Sequence, residues 1–165
     1  MNAAVSNDEA RQAQQPHDLF LFNLIFNHVF LFIVTVSAPS LQYLVVIVPL
    51  LSVGIMGYTL WRAWSATDDL PFLRCHWRWA AKRTFVFGSM WILVALVFAG
   101  IYGLAGGDLK PQHYAAAGLV FLPTMVVTLV LVIMESEALQ HARQRTLPSR
   151  AAMGCRLLAP QGASG

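Results

Sequence analysis

Asn23, Asn27, His28 and Thr35 interrupt the apolar stretch 19–38 ahead of Ser37 at its end. At about 100° per residue they occupy an arc of roughly 140° on one side of a helix. Amide and imidazole groups are costly in lipid unless something bonds to them, so that arc should face protein. Three chemistries fit it. The side chains can bond to neighbouring helices, at on the order of 0.6–2 kcal/mol per bond. They can contact a partner subunit, or they can hold a ligand, ion or proton. His28 falls about ten residues into the stretch, close to the bilayer midplane if the stretch spans it.

Other titratable groups sit at the margins of the apolar stretches. Glu135 and Glu137 follow the last one, where solvation, Arg143 or the arginines of the central charged segment can satisfy them. A haem held by two histidines needs both at one depth, and His17, His76, His113 and His141 all fall near the ends of the stretches. His28 with Met125 is the remaining pair at matching depth, and a methionine there is ordinarily packing. No cofactor is expected; a lipid or quinone contact is compatible with the apolar stretches, and haem is not favoured. Cys75 and Cys155 lack metal or disulfide-framework spacing and read as reduced thiols. No phosphate loop, His-Glu-x-x-His motif, Cys-x-x-Cys motif or serine elbow is present, which points away from an enzyme.

The elements that carry these residues are apolar helices. Hydrophobic residues make up 57% of the chain and charged residues 12%, a balance that belongs in a membrane rather than in a soluble domain. Spans are predicted at 19–38, 41–61, 84–107 and 114–134, each close to the 20 or so residues that cross about 30 Å of hydrocarbon. The expected fold is an all-α membrane protein, a four-transmembrane-helix bundle occupying 19–146 with cytoplasmic helical extensions. Residues 1–18 read as a flexible cytoplasmic tail and 147–165 as a disordered one.

The long charged segment Arg62 to Arg83 joins the two apolar pairs. Asp68 and Asp69 ahead of Pro71 signal a helix start, since proline and acidic groups both suit a first turn. From there one helix can run through the third span, about 50 Å in all. Arg74, Arg78 and Lys82 recur every fourth residue, and with Arg83 they form the expected basic face at the membrane surface. Ala95, Ala99, Gly103 and Gly107 follow at intervals of four, a seam of small residues that lets another helix approach closely. Packing within the bundle is the simpler use of that seam.

Basic residues set the orientation. Arg62, Arg74, Arg78, Lys82, Arg83, Arg143, Arg145, Arg150 and Arg156 lie on one side, and Lys110 alone lies on the other. The positive-inside rule therefore places the charged segment and both termini in the cytoplasm of a bacterial inner membrane. The expected function is a non-catalytic accessory or assembly subunit of a larger membrane complex, with a respiratory or otherwise energy-converting complex as one candidate. It would dock through the polar face of the first span and the small-residue seam of the third. The alternative is a small oligomeric transporter or channel with Asn23, Asn27 and His28 lining the path. Expected partners are the lipid bilayer and other integral membrane subunits or copies of itself; nucleic acid is not among them, despite a net charge of +3.

Overall fold

The computed structural model describes residues 5–65 and 70–147, and every regular element among them is helical. Helix α1 (Asn7–Leu21) passes through a π-helical stretch (Phe22–Leu31) into α2 (Phe32–Ser37). A 3-10 helix (Pro39–Val46) turns the chain back into α3 (Ile47–Ser65). Two long helices follow, α4 (Pro71–Leu104) and α5 (Pro111–Arg143).

Helix α1 begins inside the segment expected to be a tail. The Ser6 hydroxyl accepts from the Glu9 amide at 3.1 Å, and the Glu9 carboxylate accepts from the Ser6 amide at 2.9 Å. This reciprocal pair satisfies two amides that a helix N-terminus leaves open. The helix then runs through Pro16 and buries Ala10, Ala13, His17 and Phe20. Residues 7–18 are therefore packed structure. Their polar composition hides a buried face at spacings of three and four that continues through Leu24 and Asn27.

Pro71 opens α4 at its first turn, where its missing N–H costs nothing. The helix is continuous to Leu104, so the segment from Pro71 to Arg83 extends the third apolar stretch. Asp68, Asp69 and residues 148–165 lie outside the described residues. Gly106 and Gly107 end α4 with φ of 61° and 83°, a left-handed backbone that favours glycine. Helix α5 carries the fourth apolar stretch on to Arg143.

Packing is concentrated at the end of the molecule that carries the charged segment. Ala13, Ala63, Leu73, Trp77, Ala81 and Ala142 form one buried cluster, and Phe20, Leu24, Phe87 and Leu131 a second. These clusters seat α1 and α3 against the first half of α4 and the last half of α5. The far ends of the long helices are different. Ala95, Ala99, Gly103 and Gly107 are all exposed, and a Cβ on Gly103 would meet nothing within 4 Å. No other helix among the described residues covers Ala95, Ala99 or Gly103, and a Cβ on Gly107 would meet the Tyr102 side chain at 3.3 Å, so the expected packing of the seam inside the bundle is not seen.

Two of the helices, α4 and α5, are long and apolar enough to cross a membrane. The apolar stretches at 19–38 and 41–61 are instead divided among shorter π, α and 3-10 pieces.

Candidate functional site

The densest group of polar side chains lies where α1, α4 and α5 meet. Its phase is set by helix periodicity. Leu131, Glu135, Ala138 and Ala142 share the buried face of α5, while His76, Ala80, Arg83 and Phe87 share that of α4. His17 comes from the buried face of α1. Three helices therefore deliver a carboxylate, a guanidinium and two imidazoles to one place.

Glu135 is completely buried and takes a different partner on each oxygen. Arg83 Nη1 donates to Oε1 at 2.9 Å, and His17 Nδ1 lies 2.5 Å from Oε2. Arg83 also donates to the Met134 carbonyl at 2.8 Å, and its guanidinium lies 3.9 Å from the centre of the Trp79 ring. An ionised Glu135 can only accept, so His17 carries its proton on Nδ1. On the other side of that ring, His17 Nε2 stands 2.8 Å from His76 Nδ1. One proton lies between those nitrogens, donated by either ring. In both arrangements His76 Nε2 is buried without a hydrogen-bond partner among the described residues.

This is a linear array, Arg83 to Glu135 to His17 to His76, held in a dry setting where each bond is strengthened. His76 lies in the charged segment ahead of the apolar stretch 84–107. Burial, then the positive fields of His17, His141 and Arg83, push its pKa down to about 3. A neutral His76 beside an ion pair can pass a proton along the array, but no group among the described residues continues it beyond Nε2. Its plain effect is to fasten α1 to α4 and α5.

The sequence-derived residues are distributed differently. Asn23 and Asn27 are completely buried. Asn23 Nδ2 donates to Ser52 Oγ at 3.1 Å, and Asn27 Nδ2 donates to Asn23 Oδ1 at 3.0 Å and to the Val48 carbonyl at 2.9 Å. His28 Nδ1 lies 2.9 Å from the Asn23 carbonyl, five residues back as a π-helix places it, and the ring rests on Phe87 and Trp91. The side chain of Thr35 lies outside the described residues. Met125 is 67% exposed.

Three expectations need correction. Glu135 is not a solvated acid at a helix exit; only Glu137 is exposed, with His141 Nε2 at 3.8 Å. Arg83 does not belong to the basic face, because its position 52 residues before Glu135 brings it to the same level of the antiparallel α5, and it is buried there. Arg74 and Arg78 are half-buried and Lys82 is exposed, so these three form the face. Cys75 is disulfide-bonded rather than a reduced thiol; Cys155 lies outside the described residues.

Placement near the ends of the apolar stretches conceals the burial of His17 and His76. The signal was present as periodicity: Ala10, Ala13, His17, Phe20, Leu24 and Asn27 recur at alternating intervals of three and four. Among known proteins, no family model, curated protein or solved structure matches this chain.

Proposed function

We propose that the chain is a non-catalytic accessory subunit of a larger complex in a bacterial inner membrane. It crosses the bilayer four times and docks through the outer half of α4. The observation that carries this reading is the fate of one helix face. Ala95 and Ala99 lie 18 residues, or about five turns, beyond Trp77 and Ala81, and so on the same side of α4. Trp77 and Ala81 are buried in the cluster with Ala63 and Ala13, whereas Ala95 and Ala99 are bare. A face that packs against protein at one end offers small residues and open space at the other, which suits a helix from another chain.

The polar face of the first span does not serve as that docking surface. Both amide groups donate inside the chain, Asn23 to Ser52 and Asn27 to Val48 and to Asn23. The same bonds weigh against an oligomeric channel lined by those residues.

Orientation follows the basic residues, which favour a cytoplasmic charged segment. The disulfide at Cys75 pulls the other way, because cytosolic thiols are kept reduced. We adopt the orientation given by charge, and labelling of Lys110 from outside intact cells tests it.

Docking is tested by purification of the full chain in mild detergent. Foreign membrane subunits in stoichiometric amount support the reading, and loss of those subunits from an Ala99→Leu variant locates the interface on α4. Recovery of the chain alone or with copies of itself overturns it.

A further inference from the structure

A groove of about 460 Å³ runs between α3 and α4 beside the charged segment. Leu60, Ala63 and Ala81 form its apolar floor, Arg78 and Lys82 stand one turn apart along it, and Trp64 and Phe85 complete its lining. We propose that this groove binds an anionic phospholipid, with the phosphate between Arg78 and Lys82 and an acyl chain along Leu60 and Phe85.

Charge complementarity commits the groove to an anion. Among the described residues no carboxylate pairs with Arg78 or Lys82. Two like charges four positions apart on a helix repel, and a phosphate between them turns that repulsion into two charge-assisted contacts. The neighbouring cations are used differently: Arg83 is spent on Glu135, and Arg62 lies over the Trp77 ring at 5.8 Å.

The apolar surface commits the groove to an amphiphile rather than a free phosphate. Trp64 and Phe85 are each 69% exposed, so a large ring flanks the cations on either helix. Along α4, Arg78 and Lys82 belong to the charged segment and Phe85 to the apolar stretch that follows. A ligand lying in the groove therefore meets cations first and apolar surface next, the order of headgroup and acyl chain at a bilayer boundary.

This site rests on the membrane placement of α4 in the reading above and is independent of any docking partner. The test is native mass spectrometry of the full chain released from nanodiscs of equal phosphatidylglycerol and phosphatidylcholine. The expected result is retention of phosphatidylglycerol over phosphatidylcholine by about tenfold, lost in R78Q/K82Q and reduced in F85A, with R11Q as an unaffected control. Equal retention of the two lipids by the unaltered chain overturns the proposal without recourse to any variant. Displacement of phosphatidylglycerol by millimolar inorganic phosphate overturns it in favour of a simple anion site. Failure of the chain to enter the nanodisc would instead remove the membrane placement itself, and the site with it.

Discussion

His17 Nδ1 lies 2.5 Å from Glu135 Oε2, although 118 positions separate the two residues in the chain. Both are completely buried. Arg83 closes the other side of the carboxylate, so the charge that α5 carries into the interior is answered from α1 and α4 together. Buried ion pairs cost desolvation when they form, and removing one partner leaves the other uncompensated. Arg83→Ala should therefore destabilise the protein by about 3–5 kcal/mol. The double variant R83A/E135A should lose less than the sum of the two single losses. Denaturant unfolding in detergent reads both quantities, and additive losses would show that the contact is not a coupled pair.

The array also makes stability depend on pH. Burial and nearby positive charge hold the His76 pKa near 3, against an ordinary value of 6.5. Between those values the unfolded chain binds a proton that the folded chain does not, so stability falls as pH drops through about 6.5 and continues to fall toward 3. Melting temperatures measured from pH 7.5 to 4 should decline in the unaltered protein. His76→Phe should flatten that decline, and an unchanged slope would show that folding does not lower the His76 pKa.

Asn27 joins the first apolar pair, donating to the Val48 carbonyl of α3 and to the amide oxygen of Asn23. Replacing it with Ala removes both bonds, at a cost of about 1–2 kcal/mol for an interhelical contact in an apolar setting. Phe30→Leu, on an exposed ring of the same π-helical stretch, should be close to neutral. Comparable losses from the two substitutions would contradict an inward-facing Asn27.

Much of this arrangement is readable in the residues themselves. Pro71 and the apolar run after Arg83 define α4, and the absence of an early breaker allows a single helix to Leu104. Asn23 and Asn27 point inward for the reason their types suggest, since nothing in an apolar phase can bond to an amide. The charged cluster was harder to see. A carboxylate at the end of an apolar stretch looks like a solvated group until another helix is known to cover it, and here the cover is α1. That helix was hidden because Gln, Asn and Pro16 resemble a tail in composition, while its capping pair Ser6 and Glu9 and its buried phase resemble a helix. Which helix ends meet is a tertiary outcome, and no local pattern in α4 or α5 encodes it.

Cys75 gives an independent check on the compartment. Being disulfide-bonded, it should resist alkylation by a maleimide in denatured, unreduced protein and become reactive after a reductant is added. Labelling without reductant in freshly isolated membranes would show a free thiol and remove the objection to a cytoplasmic charged segment.

In the proposed function another protein covers the bare small-residue face of α4. A photo-crosslinking amino acid at position 99, introduced in the full chain in its own membrane, tests this most directly. One discrete crosslinked product containing a foreign membrane subunit is expected, and none from the same probe at exposed position 30. Crosslinking to lipid alone, or equally to many proteins from both positions, would contradict it.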